Sequence, residues 1–346
     1  MHMADALISP AVGGAMWAVT AGVAAYSAKK VQAGMDERKV PLMGVLGAFA
    51  FAAQMINFSI PGTGSSGHLG GGLLLAILLG PYAGFLTMAS ILTVQALFFA
   101  DGGLLALGCN VFNLGFYSCF IVYPLIYQLI VKNKMSRGRI FGGAFLAGII
   151  GLQLGAFSVV LETVFSGVSE LPFKTFVLLM QPVHLAIGTV EGLVTAAVVS
   201  FIWKARPEII ENSALAKPTG NISLKPVLIG LLIVAVITGG ALSWFTSVHP
   251  DGLEWSITKT SGQAELDSKS QVHESLAQVQ EKTAFLPDYN FKQTGPETPA
   301  SGDEKSPSWP DINGGTSLAG LAGAVLTLLL AGLIGLGLRL FNKRRT

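Results

Sequence analysis

HLGGGLLLAILLGPYAGFLTMASILTVQALFFA, residues 68–100, decides how often this chain crosses a bilayer. Read as one helix, it is a single long kinked span. The pair Gly80-Pro81 divides it, because proline lacks an N–H and turns the residue before it away from helical geometry. The stretch therefore predicts two helices, 68–80 and 82–100, the first of them short. A span needs about 20 apolar residues, or fewer where it is buried in protein. Working outward, the same rule marks 10–28, 40–60, 103–131, 139–165, 176–203, 226–246 and 317–340.

Charge supports the division. Basic clusters follow the first span (Lys29, Lys30, Arg38, Lys39), the fifth (Lys132, Lys134, Arg137, Arg139) and the seventh (Lys204, Arg206, Lys217, Lys225), and Lys343, Arg344 and Arg345 end the chain. With nine spans every cluster falls on one side, which the positive-inside rule makes cytoplasmic. A single span over 68–100 would scatter them. The expected topology puts the N-terminus outside, the C-terminus in the cytoplasm and the polar segment 247–316 outside. That segment is acidic, and its second half is rich in Pro, Ser, Gly and Thr, a composition that does not build a packed core.

Composition agrees with an all-α integral membrane protein. Of 346 residues, 51% are hydrophobic and 12% charged, against about 25% charged in soluble domains. The mean hydropathy is +0.59. A net charge of +2 without a basic patch gives no sign of a nucleic-acid partner. The 42 glycines suit close helix packing in lipid. Cys109 and Cys119, both in one apolar run, read as packing residues. The domain plan is a seven-span body over 1–205, a cytoplasmic linker over 206–225, and a two-span unit over 226–346 with a largely irregular external loop.

Candidate chemistry begins at Met1-His2. A free α-amine, the His2 amide nitrogen and the near ring nitrogen of His2 close a five-membered and a six-membered chelate ring. Such a planar nitrogen set suits Ni(II) or Cu(II). Histidine is too bulky for initiator-methionine removal, and no basic region precedes the first apolar run, so Met1 is expected to remain. His68, in a glycine-rich stretch on the same expected face, could supply a fourth nitrogen; a lone loop histidine would otherwise be surface decoration.

Further polar groups lie within the spans, where they are costly and usually face the bundle interior. His184 and Glu191 share a helix face at i, i+7, as a metal or proton site or as a hydrogen-bonded structural cluster. Gln95 and Asn113 are candidates to support the metal ligands from behind; helix–helix hydrogen bonding is the plainer role. The chain has no G-x-x-x-x-G-K-[ST] phosphate loop and no H-E-x-x-H or G-x-S-x-G motif, so neither ATP hydrolysis by that route nor those hydrolases is indicated.

The start, Met1-His2-Met3-Ala4-Asp5-Ala6-Leu7-Ile8-Ser9-Pro10, with Ser65–Gly72, Gln181–Glu191 and the seven-span body, resembles the NikM/CbiM family, the substrate-binding (S) membrane components of energy-coupling-factor transporters for nickel or cobalt. The family commonly has Asp-Gly where this chain has Asp5-Ala6. Pro250-Asp251-Gly252-Leu253-Glu254 resembles the PDGLE-type, NikN-like small component, here fused behind the body. The resemblance implies a seven-helix S-component bundle in a prokaryotic cell membrane and Ni(II) or Co(II) held by Met1, His2 and His68. It also implies a transmembrane coupling (T) subunit and cytoplasmic ATPase subunits as partners, with no catalytic cofactor. The alternative is a self-sufficient secondary metal transporter, proton-coupled through His184 and Glu191. A metal-activated-water enzyme is disfavoured because four nitrogens leave a square plane no open position.

Overall fold

Each predicted span contains a helix. The order is α1 (Pro10–Ala33), α2 (Lys39–Gln54), a hairpin of β1 (Phe58–Ile60) and β2 (Ser65–Gly67), α3 (Gly72–Leu79) and α4 (Pro81–Phe99). Then come α5 (Leu107–Val111), which runs on through a π-helical stretch Phe112–Tyr127 into α6 (Gln128–Val131), α7 (Arg137–Ser166), α8 (Phe173–Ala205) and a short α9 (Pro207–Ala214). Finally come α10 (Lys225–Gly240), α11 (Gly252–Ser261), α12 (Gln271–Thr283) and α13 (Gly314–Lys343). The structure is a computed structural model that describes residues 2–34, 39–169, 171–214, 223–263, 266, 270–292 and 309–343. Met1, the basic residues Arg38, Lys217, Arg344 and Arg345, and 293–308 of the polar segment lie outside the described residues. Among the described residues, six helices are long and apolar enough to cross a membrane, and α2 and α10 are shorter apolar helices. The chain is a multi-pass, mostly helical membrane protein.

Sequence punctuation sets the helix ends. Ser9 caps α1, its hydroxyl accepting from Val12 N, with Pro10 in the first turn. Ser136 caps α7 in the same way, and Gly167 ends it in the left-handed region. At the decisive break, Gly80 adopts φ +84° and Pro81 starts α4. There the chain reverses, and a Cβ added at Gly84 would sit 2.9 Å from Ala76 N.

The third predicted span needs correction. As a helix it is only Gly72–Leu79, about 12 Å long, far short of the roughly 30 Å hydrocarbon core. Residues 68–71 come down as irregular backbone instead. Glu191, midway along α8, accepts from Gly70 N (2.7 Å) and Gly71 N (2.9 Å), and Gln54 Nε2 donates to Gly70 O (2.7 Å). Non-helical backbone at membrane depth is tolerated where protein satisfies it like this. From there α3 runs to the basic end, where Lys39 Nζ lies 3.5 Å from Leu79 O.

Glycines let the helices touch. In the antiparallel α7–α8 pair, a Cβ at Gly148 would meet Gly192 Cα at 2.8 Å. The two C-terminal membrane helices pack on α2: Gly44 lies against Leu328, Gly323 against the Phe51 ring, and Gly239 against Gly320 backbone. Within the polar segment, α11 and α12 lie ahead of the Pro-, Ser- and Gly-rich part, of which 293–308 is outside the described residues. α11 packs on α8 and on β2, and α12 lies on α4.

Candidate metal centre

The N-terminal arm is built into the body. Asn110 grips Met3 from both sides, accepting from Met3 N (2.8 Å) and donating to Met3 O (3.1 Å), and Gly103 N also donates to Met3 O. Asp5-Ala6-Leu7 forms a 3-10 turn, and Asp5 Oδ1 accepts from Ala106 N. Alanine at position 6 fits this turn, which requires no glycine there.

These contacts carry His2 inward until its ring stacks on His68, with centroids 4.9 Å apart and planes 7° from parallel. Both rings are buried. His68 Nδ1 is 3.0 Å from Leu69 O. A carbonyl only accepts, so Nδ1 carries the proton and Nε2 keeps its lone pair. His2 Nδ1 faces Asp101 Oδ1 at 3.0 Å, and its buried Nε2 has no partner. Burial alone would raise the Asp101 carboxyl; the His2 ring and a hydrogen bond from Tyr289 outweigh burial and hold it below the usual carboxylate range.

The two polar groups proposed behind the ligands sit one step back. Gln95 Nε2 donates to Gln54 Oε1, and Gln54 in turn holds the Gly70 carbonyl. Asn113 Nδ2 lies 3.8 Å from Met3 Sδ and donates to Glu162 Oε2 at 2.7 Å. Glu191 is spent on the Gly70 and Gly71 amides. His184 lies apart from it: its Nδ1 bonds Met180 O, its Nε2 is buried without a partner, and it lines a water-sized cavity of about 10 Å³ with His68 and Asp251. Met1 lies outside the described residues. Among the described residues no three His, Cys, Asp or Glu side chains form a metal-sized group.

Several residues of the site escaped sequence reading. The Pro250–Glu254 string is a docking device. Asp251 accepts from Leu253 N and Glu254 N, Glu254 Oε2 accepts from Asp251 N, and Ser66 N donates to Pro250 O. The D-x-x-E spacing of a capping box was the available signal. Gly252 seats this turn on α8, where a Cβ would lie 2.6 Å from Val183 Cγ1 and 3.3 Å from His184 Cε1. Gly252→Val is expected to cost about 1–3 kcal/mol by overpacking, with Gly252→Ala milder, read as lowered thermal unfolding temperatures in detergent. His273, on α12, holds the arm itself, with Nε2 within 3.0 Å of Asp5 O and 2.9 Å of Ile8 O. Glu162, a carboxylate inside an apolar helix, could have been flagged by its cost in the membrane.

The described residues form a glycine-packed helical membrane bundle with a stacked, buried histidine pair beside the start of α1. Residues 2–209 match the family described as "Cobalt uptake substrate-specific transmembrane region" (CbiM), and 225–340 match the PDGLE domain. The chain belongs to the CbiM family, fused to a PDGLE domain. A candidate fused nickel transport protein, NikMN, of Archaeoglobus fulgidus is 32% identical over 330 residues, covering 95% of this chain and 96% of that one. The fused nickel transport protein NikMN of Rhodobacter capsulatus is 30% identical over 242 residues, covering 65% of this chain and 68% of its own. The crystal structure of a truncated transition metal transporter superposes with a TM-score of 0.53 at 32% identity, covering 59% of this chain and 99% of that one.

Proposed function

We propose that this chain is the metal-capturing S component of an ATP-driven energy-coupling-factor importer for nickel or cobalt. The metal is its cargo, taken from outside the cell at the end of the bundle that holds His2. The ligands are the Met1 α-amine, the His2 amide and Nδ1, and the Nε2 of His68. Energy comes from separate transmembrane coupling and ATPase subunits. The observation that carries this reading is the pairing of His2 with His68 across 66 residues of sequence, on a body of a metal-transport family. Two of the four proposed donors are backbone nitrogens, which is compatible with the absence, among the described residues, of a cluster of three ligating side chains. The amide must lose its proton, so binding releases protons and strengthens with rising pH.

The test is Ni(II) titration calorimetry on the full-length protein and on His68→Ala. The parent is expected to bind one metal per chain. Losing a direct ligand should weaken binding by at least the roughly 10–100-fold that loss of an outer-shell partner brings. A His68→Ala isotherm that overlays the parent's overturns the assignment. Cobalt titrated alongside ranks the two cargoes.

A further inference from the structure

Asp101 stands between the candidate ligand His2 and a residue of the fused C-terminal unit. Its Oδ1 faces His2 Nδ1 at 3.0 Å, and its Oδ2 accepts from Tyr289 Oη at 2.5 Å. The phenol is itself tightly held. Its ring stacks on Phe99 (5.0 Å, 17°) and meets Phe51 edge-on (6.2 Å, 65°). The backbone that delivers it is strained: Asp288 and Tyr289, neither of them glycine, have φ of 49° and 58°. Two consecutive left-handed residues persist only where the surroundings over-determine them, and such strain gathers at functional sites.

We infer that Asp101 and Tyr289 form a positioning pair for the metal ligand His2, the carboxylate orienting the imidazole and the phenol, from the C-terminal unit, fixing the carboxylate. This rests on the reading of His2 as a ligand. In the structure the His2 ring offers Nδ1–H to Asp101. The six-membered chelate ring needs the Nδ1 lone pair on the metal, so the metal-bound ring must carry its proton on Nε2. A half-turn about Cβ–Cγ brings Nε2 to the place Cε1 held, one bond from the former donor. Because the half-turn leaves Cδ2 at the donor's former place, the pair also requires a rotation about Cα–Cβ that swings Nε2–H onto Asp101, after which the carboxylate accepts from the ring in both states. A metal-bound histidine whose second nitrogen donates to a carboxylate is better oriented and more basic. Tyr289 matters because a carboxylate with one free oxygen could rotate away from the ring. The C-terminal unit thus completes the metal site through a side chain that never touches the metal.

The experiment is Ni(II) calorimetry on the full chain with Tyr289→Phe, Asp101→Asn, the double variant, Asp101→Glu and His2→Ala, together with the visible absorption band of bound Ni(II). Tyr289→Phe keeps the stacking on Phe99, so the fold should survive, with the unfolding temperature lowered by no more than the loss of one charge-assisted hydrogen bond brings. Tyr289→Phe and Asp101→Asn are each expected to weaken binding about 10–100-fold and to shift the absorption band, with partial recovery in Asp101→Glu. The double variant should be no weaker than Asp101→Asn, since tyrosine acts through the aspartate. Parent-like binding and spectrum in Tyr289→Phe, or additive losses in the double variant, overturn the pair while leaving His2 a ligand if His2→Ala does not bind. Undiminished binding in His2→Ala overturns the ligand reading and the pair with it.

Discussion

Two residues added ahead of Met1, for instance Gly-Gly, are expected to abolish Ni(II) binding although every native side chain remains. The reason lies in which nitrogens bind. In the proposed chelate three of four donors come from Met1-His2, and the α-amine anchors the metal so that the next amide can lose its proton. Two added residues move that amine two peptide units away and place the histidine fourth. A single added residue is a poorer test. The amine, two amides and a third-position histidine would then make a complete four-nitrogen plane of their own, independent of His68. The arm also has no slack, since Asn110 and Gly103 fix Met3 by its own backbone. Titration calorimetry on the extended protein, with His2→Ala beside it, should show no saturable heat in either. Parent-like affinity in the extended protein would mean that side chains alone hold the metal and would sink the amine chelate.

The helical layout was legible because it follows from apolar run length and from proline and glycine punctuation. Gly80-Pro81 divided two helices, and Lys39 and Leu79 meet at one end as the charge argument requires. What run length could not show was that 68–71 enters as irregular backbone, because four glycine-rich residues look equally apolar in either form. Only Glu191 and Gln54, distant in sequence, make that backbone tolerable. His2 could be named beforehand because a second-position histidine is a chelate in itself, and His68 because the charge argument put it on the same face and the family resemblance included its stretch. Asp101 and Tyr289 could not. An aspartate in a loop and a tyrosine in a polar segment are ordinary, and their partnership across 188 residues exists only in the folded chain. The Pro250–Glu254 string was legible as a family mark but not as a cap seated on α8.

Glu191→Ala should cost the protein more stability than any other single truncation in the site. Its carboxylate is the partner of two buried N–H groups, at Gly70 and Gly71. Removing it leaves both unsatisfied where water is excluded, at about 1–3 kcal/mol each, so roughly 2–6 kcal/mol against the 5–15 kcal/mol typical of a whole domain. Glu191→Gln keeps one acceptor oxygen but turns an NH2 toward the other amide, so it should fall between parent and alanine. His68 is two residues from Gly70, so a released loop also loosens the proposed fourth ligand, and Ni(II) affinity should fall in the same order. Thermal unfolding in detergent and calorimetry on the three proteins measure both effects. The secondary-transporter reading makes Glu191 a proton carrier and expects a different pattern: stability and metal affinity kept in Glu191→Ala, with uptake lost. A carboxylate whose two oxygens are each taken by a backbone N–H is occupied in holding the loop. Parallel loss of stability and binding therefore assigns Glu191 to the loop, and retention of both with failed uptake would assign it to proton transfer.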